Sequence, residues 1–436
     1  MKNFLIGVLI TWFLVIGLLF EDSKRNARKK GHPTDSKRLE IIFWHGMTGP
    51  LGKVMEDLID RFNKTQDQYF IKSVSMGSYD TLAKKLLASL VAGQAPDISQ
   101  NYENLTKKFI KHHKIVCLDE LIASEAEDIK SDIIPVLLEN NTFDGKLWSF
   151  PFNKSIPVLY YNKKLFREAG LDPESPPQTL EELASFARKL TKRDERGEVR
   201  VYGYGTNRAN VWMFLCRVLQ FGGKIVSDDL APRSLLDGPA AVKALSFLQG
   251  MLREGIAYEA QAFDHQNDFK AQRTAMIDNS IVSKVFMEMG AGIPFDYGVA
   301  PLPGAATSAV ILSGTNINIF DNGDPRKIKG AWDFIKFFTN TENGAEWSYK
   351  TTYMPVRKSS LSSKNLQKVL EADKNLKAPY VQLDRCFFEP RLGCWFEVRD
   401  LMADYLEKAG LELTDPEVIL KKMNQDINGI LKHARD

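Results

Sequence analysis

Bond-making chemistry needs a nucleophile beside a base, a metal cage or a phosphate cradle. The residues that build these are scattered in this sequence. His45 and the pair His112-His113 have no histidine or glutamate partners at ligand spacing, so no metal centre is expected. The four cysteines, Cys117, Cys216, Cys386 and Cys394, are too few for a disulfide framework, and none forms a C-x-x-C pair that would suggest zinc. Cys386 and Cys394 are near neighbours; they either pair or remain two ordinary thiols. Neither G-x-x-x-x-G-K-S/T nor G-x-S-x-G occurs, so neither ATP binding nor serine hydrolysis is expected of the chain itself. Binding without catalysis, and without a cofactor, is the expectation these residue types leave.

The elements that must position any binding residues alternate. Leu39–Trp44 is β-rich and apolar and reads as a strand. Leu51, Met55, Leu58, Ile59 and Phe62 then fall on one helical face. Phe70–Val74 is a second strand, Met76-Gly77-Ser78-Tyr79 a turn, and Leu82, Leu86, Leu87 and Leu90 mark the next helix. Another strand-like segment reaches Tyr102-Glu103. Strand–helix–strand alternation predicts an α/β fold with a mostly parallel sheet, whose ligands sit in loops beyond the carboxyl ends of strands. Tyr79 and Glu103 lie in such loops. Further on, Thr179-x-x-Glu182 is a capping box before Leu180, Leu183, Phe186, Ala187 and Leu190. Asp194–Arg200 reads as a charged, solvated hairpin turn. Ala331–Thr339 is a helix with Trp332, Ile335 and Phe338 inward. Thr414-x-x-Glu417 is expected to cap a last helix carrying Val418, Met423, Ile427 and Leu431.

At 436 residues the chain has room for two lobes with separate cores. Its first segment bears on the compartment. Phe4–Phe20 is an uncharged run of seventeen residues, an export signal or an uncleaved anchor. No small-x-small pattern precedes Glu21, so an anchor that is kept is the expectation. The basic cluster Lys24–Lys30 follows the run, where the positive-inside tendency would hold it in the cytoplasm; a membrane segment with the body inside the cell is the alternative. Residues 1–38 carry eight lysines and arginines against three acids, a charge of +5 that exceeds the +3 of the whole chain and leaves the body close to neutral, at −2. That balance does not suggest a nucleic-acid partner. Residues 21–38 read as a basic tether.

Phe150-Pro-Phe-Asn-Lys-Ser155-Ile-Pro-Val-Leu-Tyr-Tyr-Asn162-Lys163 is the stretch that joins the lobes. Pro151 and Pro157 cannot donate to a ladder and do not suit central strand positions, so one strand ends and another begins at a bend. This crossing resembles the hinge of the solute-binding proteins of ABC importers, in the maltose-binding class, and within it the branch that binds glycerol-3-phosphate. The resemblance runs from about Leu39 to the C-terminus. Gly77-Ser-Tyr79 stands where those proteins have Gly-Asn-Tyr. Tyr102-Glu103 stands at their Tyr-Glu, and Lys350-Thr-Thr-Tyr353-Met-Pro-Val356 at their final crossing. Arg391-Leu-Gly-x-x-x-x-x-Arg399 stands at their C-terminal arginine motif. One departure is plain. The relatives carry two tryptophans as an aromatic floor, and here only Trp212 stands nearby, displaced by about one position.

The resemblance implies a two-lobed periplasmic-binding-protein-like fold (type II) with a ligand cleft between lobes and a multi-crossing hinge. It places lobe 1 in 39–153 and 297–350 and lobe 2 in 154–296 and 351–436, after residues 1–20 and the tether 21–38. Crossings are expected near Ser155, Pro294–Tyr297 and Tyr353. It implies ligand binding by Tyr79, Glu103, Ser155, Ser280, Gly314, Tyr353 and Arg399, with Trp212 as a possible addition. Taken singly, the tyrosines suit packing, the serines turns, Glu103 the surface and Arg399 a salt bridge; only their joint occurrence argues for a site. Their chemistry suits a phosphorylated polyol. Arg399 offers a planar cationic fork, and Ser155, Ser280, Tyr353 and the Gly314 amide offer donors to a phosphate. Glu103 accepts from a glycerol hydroxyl, and Tyr79 adds a donor. The implied function is extracytoplasmic capture of sn-glycerol-3-phosphate or a glycerophosphodiester by a monomer. Delivery goes to permease subunits driven by a separate ATPase. Sugar or oligosaccharide capture is the alternative. An exported enzyme acting on glycerophosphodiesters would need a metal cluster or nucleophile–base pair, and a chemoreceptor-type sensor domain would share the fold.

Overall fold

The computed structural model describes residues 38–434. The expected export segment, and all of the tether but Arg38, lie outside the described residues. Among the described residues no helix is long and apolar enough to cross a membrane.

Two sheets organise the chain. The first has the strand order Tyr69–Ser75, Leu39–His45, Ile98–Asn101, Ser313–Ile319, Phe150–Ser155. Leu39–His45 runs parallel to both neighbours, whereas Ser313–Ile319 is antiparallel to both of its own. The second has the order Ala257–Ala260, Val199–Asn207, Thr274–Ser280, Pro157–Asn162, Tyr297–Pro301. Helices cover both, in a two-lobed α/β fold. The apolar face read from the sequence of Gly49–Thr65 is the buried one, with Leu51, Met55, Leu58, Ile59 and Phe62 inward. Trp332, Ile335 and Phe338 are likewise buried on Pro325–Phe338. Phe152 joins these layers: its ring lies 4.8 Å from that of Phe338 and 5.5 Å from that of Trp347. Such aromatic pairs add about 0.5–1.5 kcal/mol beyond the area they bury.

The prolines of the crossing sit where their missing N–H costs least. Pro151 belongs to Phe150–Ser155, the edge strand of the first sheet, opposite a register shift at Thr315/Asn316. Pro157 is the first residue of Pro157–Asn162, a central strand of the second sheet. Every residue of both strands is buried, and Ile156 between them is fully buried.

Three local expectations shift. Tyr297–Pro301 pairs with Pro157–Asn162 in the second sheet, so the return to the first sheet falls between Pro301 and Ser313, later than Tyr297. The reason is that Val299 and Ala300 pair with Tyr160 and Leu159 along the otherwise open edge of that strand before the chain leaves. The last helix, Pro416–His433, is capped by Asp415, which accepts from the N–H groups of Glu417 and Val418; Pro416 at its first position puts the cap one residue after Thr414. That start turns Val418 outward, while Ile419, Leu420, Met423, Ile427 and Leu431 are buried. The other box is as expected: the Thr179 side chain accepts from the Glu182 N–H and the Glu182 carboxylate from the Thr179 N–H.

The C-terminal region is divided. Lys358–Leu361 and Lys364–Ala372 pack on Thr341–Thr351, which packs on Gly49–Thr65 beside the first sheet. Trp395–Glu412 and Pro416–His433 pack on each other and on Val211–Gln220 and Pro239–Arg253 of the second lobe. Cys386 and Cys394 are both free thiols. Burial pushes the Cys386 thiol up to about 12.

Candidate functional site

Five chain segments that are remote in sequence meet around a cleft of about 360 Å³. From the first lobe come Asp80, Tyr102, Glu103 and Gly314. Tyr102 and Glu103 follow the strand Ile98–Asn101, and Glu103 opens the helix Glu103–Lys111. From the second lobe comes the loop after Val199–Asn207. In it Asn210 caps Val211–Gln220 by accepting from the Met213 N–H, and this presents Trp212 to the cleft. The last wall is Glu389, Pro390 and the first turns of Trp395–Glu412. There Phe396, Arg399, Asp400 and Ala403 recur at helical spacing on the face turned to the cleft.

Of the expected residues, Glu103, Gly314, Arg399 and Trp212 line this cleft. Tyr79 and Tyr353 meet behind its wall. Their hydroxyls lie 3.3 Å apart, the Tyr79 oxygen accepts from Asn153 Nδ2 at 2.7 Å, and the Tyr79 ring packs edge-on against Tyr102, 5.8 Å between centroids. Tyr102 in turn packs on Phe396 at 5.5 Å, so an aromatic chain runs from the hinge side of the first lobe to the helix Trp395–Glu412. Burial raises all three phenols, Tyr79, Tyr102 and Tyr353, above the usual tyrosine range, so each stays a neutral donor at physiological pH. Ser155 and Ser280 are the last residues of the strands Phe150–Ser155 and Thr274–Ser280 and lie off the cleft lining. Ser155 pairs with Ser313, and Ser280 pairs with Pro157 while its Oγ accepts from the Val282 N–H at 3.1 Å.

Gly314 occupies a position only glycine tolerates. Its φ is +105°, and a Cβ there would lie 1.9 Å from the Asn153 carbonyl oxygen. Backbone of the paired strands Ser313–Ile319 and Phe150–Ser155 is therefore in close contact beneath the cleft.

Charge decides what the cleft can hold. Its lining carries four carboxylates, Asp80, Glu103, Glu389 and Asp400, and one cation, Arg399. Arg399 Nη1 donates to Glu389 Oε1, and the other Glu389 oxygen accepts from Trp395 Nε1 at 2.6 Å. Burial disfavours the Arg399 charge, but the adjoining Glu389 carboxylate outweighs it and holds the guanidinium above the usual arginine range. Glu103 is 8% exposed, and its Oε2 has no hydrogen-bond partner among the described residues. A buried carboxylate oxygen left open beside a cleft is a place for a hydroxyl or cationic group of a ligand.

Several of these residues were not singled out from the sequence. Trp395 and Phe396 fell among the unspecified positions between Arg391 and Arg399; their 3.6-residue spacing with Arg399 was the available signal. Together with Trp212 and Tyr102 they supply the aromatic surface for which the sequence offered a single tryptophan. The Trp212 indole N–H is spent on the Ile311 carbonyl at 2.8 Å, so its ring face is what the cleft receives. Glu389 had no local signal. Lys154, in the hinge itself, is 1% exposed; its Nζ donates to Asn140 Oδ1 at 2.9 Å and to the Gly314 carbonyl at 3.3 Å. Burial pulls it down to about 8, partly offset by the Glu103 charge.

Comparison with known proteins agrees with the two-lobed fold. Residues 57–378 match the family described as bacterial extracellular solute-binding protein. The sn-glycerol-3-phosphate-binding periplasmic protein UgpB of Yersinia pestis is 30% identical over 333 residues, spanning 73% of this chain and 74% of that protein. The protein of the same name from Pectobacterium atrosepticum is 28% identical over 420 residues, 90% of this chain and 91% of that one. Among solved structures, UgpB from Mycobacterium tuberculosis in complex with glycerophosphocholine superposes with a TM-score of 0.79. It is 25% identical and covers 91% of this chain and 99% of its own. Maltose-bound MalE3 of T. maritima shares the fold, with a TM-score of 0.78 at 20% identity over 90% of this chain and 100% of that one.

Proposed function

The chain belongs to the bacterial extracellular solute-binding protein family, and from that premise we propose that it captures a glycerophosphodiester or sn-glycerol-3-phosphate between its lobes for an ABC importer. The observation that carries this reading is the pairing of Arg399 with an open carboxylate oxygen of Glu103 across one cleft, between aromatic faces. A phosphate in a cleft closed to water needs a cation, because burying it unpaired is prohibitive. Arg399 is the one cation of the lining, and its fork can bind two phosphate oxygens. Glu103 Oε2 accepts from a glycerol hydroxyl. Tyr79, Tyr353, Ser155 and Ser280 support the wall and the hinge, and reach a ligand as the lobes adjust around it.

The excess of acids favours the diester. A phosphodiester carries one negative charge and a monoester up to two. A cationic alcohol on the diester would also meet Glu103, Asp80 or Asp400 and the aromatic rings. A ligand touching both lobes favours the closed state, which is the form a permease subunit would receive, a separate ATPase supplying the energy. No step here breaks a bond.

Sugar capture is the second reading, favoured by the same carboxylates and aromatic faces, which suit hydroxyls and the apolar faces of rings. Calorimetry on the full chain with glycerophosphocholine, sn-glycerol-3-phosphate and maltose separates the two. Micromolar binding of a phosphorylated ligand that collapses in Arg399→Ala is expected. Tight maltose binding that survives Arg399→Ala, with no phosphorylated ligand bound by the wild type, would overturn the proposal.

A further inference from the structure

We infer that Glu389 is the residue that sets which phosphorylated ligand the cleft accepts: a resident counter-anion on Arg399 that admits phosphodiesters and disfavours phosphate monoesters. The inference rests on the reading above and deepens it.

Glu389 lies in the connection between the strand Cys386–Phe387 and the helix Trp395–Glu412, and both of its oxygens are engaged, one by Arg399 and one by Trp395 Nε1. It lines the same cleft as Arg399. The arginine fork that a phosphate needs is therefore already half occupied by a carboxylate from the protein.

The loop that carries Glu389 is tied down. Pro390 follows it directly. Arg391 Nη1 donates to the carbonyls of Glu139 at 2.8 Å and Thr142 at 2.5 Å, at the end of the helix Pro135–Asn141. The Arg391 guanidinium also lies 4.7 Å from the Phe143 ring centroid and 4.8 Å from that of Phe388. Held on both sides, the carboxylate cannot retreat by swinging the loop outward.

An incoming phosphate then has two options. It can displace Glu389 from Arg399, which leaves a largely buried carboxylate without its cation. Or it can share the guanidinium, placing its own charge within a few ångströms of Glu389. Either option is worse for a group with two negative charges than for a group with one. Asp80, Glu103 and Asp400 face the same volume and add to the effect with the same sign. Lys154 and Arg391 also feel the Glu103 charge, and both are already spent, on Asn140 and the Gly314 carbonyl and on the Glu139 and Thr142 carbonyls.

Glu389→Gln keeps the shape and an acceptor but removes the charge. Calorimetry on the full chain with sn-glycerol-3-phosphate and glycerophosphocholine, wild type against Glu389→Gln, reads the ratio of the two affinities. The monoester is expected to tighten by about tenfold, the size of one charge-assisted interaction, and the diester by about threefold or less. A general structural role would change both ligands alike and leave the ratio untouched; an unchanged ratio overturns the inference. Where Glu389→Gln is poorly folded, Trp395→Phe removes the indole N–H that steadies the carboxylate, and a smaller shift of the ratio in the same direction is expected. No shift there overturns the inference equally. A wild type that binds neither phosphorylated ligand but binds maltose overturns the glycerol-phosphate reading, and this inference falls with it.

Discussion

Lys154→Met tests the electrostatics of the hinge directly. Lys154 is 1% exposed and its Nζ meets only neutral partners, the Asn140 amide oxygen and the Gly314 carbonyl. Burial draws it from the ordinary 10.5 to about 8. In the unfolded chain the amine keeps its proton up to about 10.5; in the folded protein it loses it above about 8. Between those values the unfolded state binds more protons, so stability rises with pH through that window. Below pH 8 the full cost of burying the charge is present, about 3 kcal/mol for a difference of this size. Methionine has a similar length and no charge, so the variant lacks this pH-dependent part. It also removes the donor to the Gly314 carbonyl and the shorter of two donors to Asn140 Oδ1, a pH-independent loss of about 1–3 kcal/mol. The quantity to follow is therefore the difference in unfolding free energy, wild type minus Lys154→Met, from urea titrations at pH 7, 8, 9 and 10. That difference should rise by up to about 3 kcal/mol from pH 7 towards 10.5, as wild type sheds the buried charge. Other lysines titrate in both proteins and cancel. A difference that stays flat, or falls, would refute the account of Lys154 as a charged buried hinge residue.

Other expected outcomes follow from the same contacts. Arg399→Ala should weaken a phosphorylated ligand by at least about thirtyfold, and Arg399→Lys, which keeps charge but loses the fork, should fall between it and wild type by calorimetry. Gly314→Ala places a Cβ against the Asn153 carbonyl oxygen at a φ of +105°, so its thermal midpoint should drop by several degrees, about 2 kcal/mol or more; an unchanged midpoint would contradict the crossing geometry. Arg391→Ala removes charge-assisted bonds to the carbonyls of residues 139–142 and two ring contacts. About 2 kcal/mol of stability should be lost in urea unfolding, against no loss if the loop is held by packing alone.

Much of the architecture was legible because it rests on interactions between near neighbours in the chain. The faces of Gly49–Thr65 and Pro325–Phe338 follow from side-chain spacing, which repeats every few residues. The Thr179–Glu182 cap closes within three residues. Pro151 and Pro157 announced the bend because a missing N–H confines proline to an edge strand or to the first position of a strand. Even locally, competition between signals mattered: Asp415 displaced Thr414 as the cap because Pro416 fixes the first turn. The two-lobed fold and the family were readable through motifs spread along the chain, from Tyr102-Glu103 to Arg399. Where the chain returns to the first sheet was not, since Tyr297–Pro301 looks the same whether it ends one sheet or begins another; only its pairing with Pro157–Asn162 decides.

The site divides along the same line. Residue types alone offered no metal or nucleophile motif to expect, and Glu103, Gly314, Trp212 and Arg399 were nominated from the sequence and line one cleft. Tertiary structure decided what those side chains face. It set Glu389 on Arg399, brought Tyr79 to Tyr353 across 274 residues, and placed Phe396 against Tyr102. It also buried the Lys154 ammonium beneath Gly314. The physical reason is range. Caps and periodic faces are settled by atoms a turn apart, whereas a charge's partner and its exposure to water depend on which distant segments the finished fold lays beside it.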